Sequence, residues 1–198
     1  MGYFDVEYDS KRRFASYWHQ ISEIMSLSPA NVLEIGIGNG MVSGYLKGRG
    51  YTVITLDIRE ELSPDIVASV LDMPIEDGAF EVVACYEVLE HLEYECFGKA
   101  LREIWRVCTR RAVISLPDQS GAIRILLKVP FMREKRLMVP YPRLRPPALE
   151  TYHKWEIGRK GYPLERIISD MEGAGFALEK TYRVFENPVH RFFVLEKS

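Results

Sequence analysis

The stretch Val32-Leu-Glu-Ile-Gly-Ile-Gly-Asn-Gly40 limits what this chain can fold into more than any other part of it. Val32 to Ile35 has the character of a short buried strand, and Met41, Val42, Tyr45 and Leu46 then repeat at helical spacing. Between them the glycines Gly36, Gly38 and Gly40 free the backbone to take positive φ and to press against a ligand, while the helix packs close to the strand. A nucleotide-like occupant is expected. Met41 stands where a nicotinamide dinucleotide fingerprint has its third small residue, and no Gly-Lys-Ser/Thr run follows to grip ATP phosphates.

The same alternation continues along the chain. Phe14, Tyr17, Trp18, Ile21, Ile24 and Met25 make residues 11 to 26 an amphipathic helix that ends at Ser28-Pro29 and is expected against the sheet edge. The aromatic cluster Tyr3, Phe4, Tyr8, Phe14, Tyr17 and Trp18 is read as core. Tyr51 to Leu56, Asp65 to Val70, Phe80 to Tyr86 and Arg111 to Leu116 read as further strands, and Phe97, Leu101, Ile104 and Trp105 lie on one face of a helix. Glu87-Val-Leu-Glu-His-Leu92 is expected to open that helix. Five alternations predict a parallel sheet with helices on both faces and a ligand crevice at the carboxyl ends of its strands. Asp57 ends the second strand about 20 residues beyond the glycines, where an acid accepts hydrogen bonds from both ribose hydroxyls of an adenosine group.

The glycine turn, with an acid two residues before its first glycine, resembles the first motif of the class I S-adenosylmethionine-dependent methyltransferases (methyltransferase type 11-like). Leu71-Asp-Met-Pro74, the turn Glu76-Asp77-Gly78 and Phe80 before a buried strand strengthen the resemblance. It covers roughly residues 14 to 196, with the 118–150 insertion outside it. It implies a Rossmann-like, doubly wound α/β fold with a seven-stranded, mostly parallel sheet, helices on both faces and an antiparallel last strand. Phe176 to Val184 and Arg191 to Leu195, separated by Asn187-Pro188, would form the closing hairpin after a helix carrying Leu164, Ile167, Ile168 and Met171. The resemblance assigns Glu34, Gly36, Gly38, Asp57, Asp72, Met73 and Glu87 to cofactor binding. Glu34 would face the amino acid end of the cofactor, Asp72 the adenine amine and the amide of Met73 a ring nitrogen.

The length fits one domain, residues 1–198, with a proline-rich basic insertion at 118–150. That insertion holds five prolines and the cations Arg124, Lys128, Arg133, Lys135, Arg136, Arg143 and Arg145. Ile123, Ile125, Leu126, Leu127, Val129 and Phe131 suggest a short helix at its start, and the whole reads as an insertion over the site mouth, either a lid that selects an anionic or membrane-associated substrate or a solvated basic loop. A net charge of -2 with 47% hydrophobic residues excludes a disordered chain or a strongly basic nucleic-acid binder. Cys85, Cys96 and Cys108 form no Cys-x-x-Cys pair and read as reduced thiols of a cytoplasmic protein. No apolar run is long enough for a transmembrane segment. Nothing in the sequence sets the oligomeric state.

Methyl transfer from a sulfonium asks the protein chiefly to align, to exclude water and to remove a proton. Glu87, Glu90 and His91 stand at i, i+3 and i+4, on one face if the segment is helical. His91 and His153 are the expected base or acceptor contacts. The run Glu-Val-Leu-Glu-His-Leu also resembles that of the ubiquinone-pathway O-methyltransferases and, more loosely, the small-RNA 2′-O-methyltransferases. There it holds a divalent metal, which is the less favoured reading here, and no metal ligand is assigned. The expected reaction is methylation of an oxygen or nitrogen, less readily a carbon, of a small-molecule acceptor. The alternatives are an RNA or protein methyltransferase using the basic insertion, and an inactive binding module.

Overall fold

A computed structural model describes residues 8–141, 143 and 147–198; Tyr3 and Phe4 of the aromatic cluster, and Arg145 of the insertion, lie outside them. The first half runs α1 (Lys11–Leu27), β1 (Val32–Ile35), α2 (Met41–Gly48), β2 (Val53–Asp57), β3 (Ile66–Val67), β4 (Phe80–Tyr86) and α3 (Phe97–Val107). The second runs β5 (Cys108–Pro117), β6 (Gly121–Leu127), β7 (Lys135–Tyr141), α4 (Leu164–Gly173), β8 (Phe176–Arg183) and β9 (His190–Lys197). Seven strands form one sheet in the order β3-β2-β1-β4-β5-β9-β8, parallel except for β9, which is antiparallel to both neighbours. The chain leaves β1 toward β2 and β3 and returns to β4 on the other side. The crevice between the ends of β1 and β4 is the switch point at which such sheets take ligands.

Alternation along the strands divides the core in two. Val32, Val82, Ala84, Val113, Phe192 and Val194 point to the face covered by α1 and α2, while Leu33, Val83, Cys85, Ile114, Phe193 and Leu195 point to the face covered by α3 and α4. Near-continuous apolar strands follow from this two-sided burial. Ser10 caps α1 by accepting from the Arg13 amide (3.3 Å). Contrary to the edge position expected, α1 lies over the middle of the sheet, where Tyr17 and Ile24 meet Val82, Ala84 and Phe192. Phe14 and Trp18 face outward from it, 48% and 64% exposed, so the aromatic stripe is core only at Tyr17.

Two further expectations are corrected. The start of the 118–150 insertion is no helix: β6 and β7 pair antiparallel, from Gly121↔Tyr141 to Leu127↔Lys135. β-Branched and aliphatic residues face each other across the strands, as Ile123↔Val139 and Ile125↔Leu137 do. At the base, a Cβ on Gly121 would lie 2.3 Å from the Tyr141 ring, so only glycine lets that ring cross the strand. The third strand is also shorter than expected. Asp65 leaves it to accept from the Thr55 amide and hydroxyl (both 2.8 Å) and from Lys47 (3.1 Å).

Candidate active site

Gly36, Gly38 and Gly40 all take positive φ (83°, 54° and 72°), as the spacing demanded. Glu34, on the last turn of pleat before them, is buried, and its Oε2 has no partner among the described residues. Burial pushes its carboxyl up to about 8, with hydrogen bonds from Ser43 and the charge of Lys47 offsetting only part of the effect. At the end of β2, Asp57 accepts from the Ile37 amide in the glycine turn (3.1 Å) and from the Arg59 amide (2.9 Å). This ties β2 to the turn and fixes the carboxylate at the crevice. A buried acid with one oxygen unpartnered among the described residues, beside backbone free of side chains, fits a ligand that brings a cation to Glu34 and hydroxyls to Asp57.

Gly36 also serves packing. A Cβ there would lie 2.3 Å from Cγ2 of Val88, on the turn after β4. Gly36→Ala combines that clash with a left-handed backbone and is expected to cost roughly 2 kcal/mol or more in denaturant unfolding. Val88→Ala in the same chain removes the clash and restores part of the loss. No recovery in the double variant would place the whole cost in the backbone.

The adenine end differs from expectation. Asp72 stands exposed after a bridge between Ser69 and Asp72, but Met73 is buried and its amide donates to Glu103 Oε2 (3.1 Å). Arg106 completes the clamp from α3 through the carbonyls of Met73 (3.0 Å) and Ile75 (2.6 Å), and through Asp77 (2.8 Å) and Glu103 (2.8 Å). The Met73 amide, expected at the adenine ring, is thus engaged by Glu103 in this structure. Glu103 and Arg106, three apart on α3, carry no signal in the sequence that separates them from an ordinary solvated helix pair.

The segment after β4 is not an α-helix. Glu87 takes φ 52°, Leu89–His91 and Tyr94–Cys96 are single 3₁₀ turns, and α3 begins only at Phe97. Glu87, Glu90 and His91 consequently do not share a helix face. Glu87 turns to the sheet, accepting from Ser115 Oγ (2.8 Å), with its other oxygen 3.7 Å from Nε2 of the buried His190. Glu90 is wholly buried, and neither of its oxygens has a hydrogen-bond partner among the described residues. Burial, and then the neighbouring charge of Glu87, hold its carboxyl well above the usual range.

Over Glu90 lie the residues that follow the insertion. The Lys154 amide donates to the Glu90 carbonyl (2.8 Å), the Ile157 amide to the Pro117 carbonyl (3.0 Å), and Trp155 enters the core against Phe97. This brings His153 to His91, ring centroids 5.0 Å apart, with a ligand atom from each and one from Glu90 within 4.8 Å of one another. His91 Nδ1 donates to the Tyr152 carbonyl (3.0 Å) and His153 Nδ1 to Glu156 Oε1 (2.8 Å). Both rings are thereby held through Nδ1, and Nε2 of His153 lies 3.9 Å from Glu90 and 3.5 Å from Glu150. Burial lowers the His153 pKa, but the bond to Glu156 and the charges of Glu150, Glu156 and Glu87 outweigh it and raise the ring above its ordinary value. Glu156 is itself held ionised by His153 and Arg159, against its own burial. Its place three residues after His153 was visible in the sequence; its role as the histidine's orienting acid was not.

Residues 33–116 match the family model described as Methyltransferase domain. No curated protein matches the sequence. Solved structures of the same fold include the 1,6-didemethyltoxoflavin-N1-methyltransferase of Burkholderia thailandensis, with 1,6-didemethyltoxoflavin and S-adenosylhomocysteine bound. It is 16% identical, with a TM-score of 0.64 over 98% of this chain and 81% of that one. The magnesium protoporphyrin IX methyltransferase of Synechocystis PCC 6803, with S-adenosylmethionine bound, is 15% identical, with a TM-score of 0.62 over 94% and 81%. The PH0226 protein of Pyrococcus horikoshii is 14% identical, with a TM-score of 0.64 over 97% and 94%.

Proposed function

We infer, from a chain that is a class I S-adenosylmethionine-dependent methyltransferase, that its acceptor is a small molecule methylated on oxygen or nitrogen beside His91 and His153. The observation that carries this reading is the pair of histidines held through Nδ1 beside the buried carboxyl of Glu90, which has no hydrogen-bond partner among the described residues. Only a tenth of the His153 side chain is exposed, and that of Glu90 not at all. A group so recessed suits a small molecule better than the surface of a folded protein or an RNA helix.

The cofactor, when bound, supplies a methyl carbon already activated by its sulfonium charge. Glu34 takes its ammonium group, Gly36 and Gly38 let the backbone approach, Asp57 accepts from the ribose hydroxyls, Asp72 faces the adenine amine, and Glu87 borders the crevice at the end of β4. His153, backed by Glu156, takes the proton from the acceptor, and His91 positions the acceptor. His153→Ala is expected to lower turnover by about 100-fold or more while leaving S-adenosylhomocysteine binding intact. A loss of cofactor binding to the same degree would sink the assignment.

A second reading has its own observation, since both Glu90 oxygens are buried without a hydrogen-bond partner among the described residues. Glu90, His91 and His153 have the donor set for a divalent cation, with Glu156 and the Tyr152 carbonyl orienting the histidines from behind. Such an ion would lower the pKa of a bound acceptor hydroxyl. Thermal melts separate the readings. S-adenosylhomocysteine at about 100 times its dissociation constant adds roughly 2.7 kcal/mol in either case. Magnesium or manganese raises the melting temperature further under the second reading alone, and Glu90→Gln abolishes that increment.

A further inference from the structure

We propose that the β6–β7 hairpin docks this protein onto an anionic lipid bilayer. Strands of seven residues give it a length of about 23 Å. It leaves the sheet just after the carboxyl end of β5, on the side of the crevice. A two-stranded ribbon buries little by itself, and here one of its faces is aliphatic. Ile123, Ile125, Leu127, Leu137 and Val139 are all more than 40% exposed. The turn is the extreme case: Val129 and Met132 are 51% and 62% exposed, and Phe131, at φ 65°, is held wholly in solvent. So much contiguous hydrocarbon at one projecting tip marks an interaction surface.

Charge names the partner. Of the six charged residues in 121–141 five are cationic, in a chain whose net charge is -2. Arg136 is paired with Glu134 and Glu186, and Arg124 is tied to the Phe185 carbonyl. Lys128, Arg133 and Lys135 flank the apolar tip and make no ion pair among the described residues. Cations around an aliphatic and aromatic tip match the boundary between lipid headgroups and acyl chains. A second copy of the chain would bring the same cations face to face. RNA would take the cations but offer no apolar phase to Val129, Met132 and their aliphatic neighbours. Docking by this tip turns the crevice toward the bilayer, so an amphiphilic acceptor could enter from the lipid side; that extension rests on the acceptor reading above, whereas the docking does not.

The full chain should co-sediment with vesicles of phosphatidylcholine containing phosphatidylglycerol, and should bind pure phosphatidylcholine vesicles far more weakly. Replacing Lys128, Arg133 and Lys135 together by Ser is expected to weaken anionic binding roughly 100-fold, at about fivefold per cation. Phe131→Ser with Met132→Ser is expected to weaken it by about tenfold or more. Both variants should keep the wild-type thermal shift with S-adenosylhomocysteine, which shows that the fold is intact. A Phe131→Trp variant should show blue-shifted emission on anionic vesicles only. Equal binding by wild type and variants would overturn the proposal, as would no binding to anionic vesicles. So would hairpin-dependent binding of an RNA oligonucleotide or hairpin-dependent dimerisation in place of vesicle binding.

Discussion

Glu34→Gln is expected to make the unliganded protein more stable above neutral pH and, at the same time, to remove most of its affinity for the cofactor. The carboxyl is raised to about 8 by burial, whereas in the unfolded chain it titrates at the ordinary glutamate value. The native state therefore favours the protonated form. Its contribution to stability is fully present below the unfolded pKa and is lost as pH rises through about 8, where the penalty reaches the order of 5 kcal/mol. Glutamine keeps the shape and cannot ionise. The wild type should fall behind the variant in melting temperature steadily between about pH 5 and 8, then run parallel to it.

Cofactor binding shows the same group from the other side. An ammonium brought to Oε2 needs the carboxylate, so binding below about pH 8 must release a proton. The dissociation constant of S-adenosylhomocysteine should rise by up to tenfold per pH unit as pH falls from 8 toward 6. In Glu34→Gln it should be weaker by about 30-fold or more at pH 8 and flat over that range. Titration calorimetry in two buffers of different ionisation heat measures the proton directly. A pH-independent wild-type constant would sink the assignment of Glu34 to the ammonium.

The other large effect is on stability, at a residue the sequence did not single out. Asp118 directly follows β5, is completely buried, and accepts from Arg191 Nε (2.7 Å) and the Ser120 amide (2.8 Å), with Arg183 Nε at 3.7 Å. Arg183 also donates to the carbonyls of Pro188 (2.5 Å) and Ser120 (2.8 Å), so this acid and two arginines join β5, the hairpin base and the closing strands. Asp118→Ala leaves two largely buried guanidinium groups without their counter-charge, which is expected to cost about 3 to 5 kcal/mol. For a chain of this size that is a fall of roughly 10 °C in melting temperature. Asp118→Ala with Arg191→Leu should recover part of it. A single variant within 1 kcal/mol of wild type would mean that water reaches the arginines and the pair contributes little.

Most of the fold could be read from residue order. Apolar runs of strand length, helical repeats between them and glycines where the backbone must turn left are local signals, and β1 to α2 formed as they specify. The same holds for Asp57, because a strand's end and a fixed distance from the glycines locate it. The sequence could not tell a helix from a hairpin over 121–141. There the apolar residues satisfy both periods, and the choice fell to cross-strand partners Val139 and Leu137, far along the chain. It also placed Glu87, Glu90 and His91 on one helix that the left-handed residue at Glu87 breaks. Each remaining difference concerns a partner supplied from a distance. Glu103 takes the Met73 amide, Arg183 and Arg191 take Asp118, and the return of residues 152–157 over Glu90 brings His153 beside His91. Spacing along the chain determined the sheet, the glycine cradle and the acids at its rim. Which buried polar groups are satisfied, and which are left open to a ligand, was decided only when packing brought distant side chains together, since a hydrogen bond depends on distance in space and not on separation in sequence.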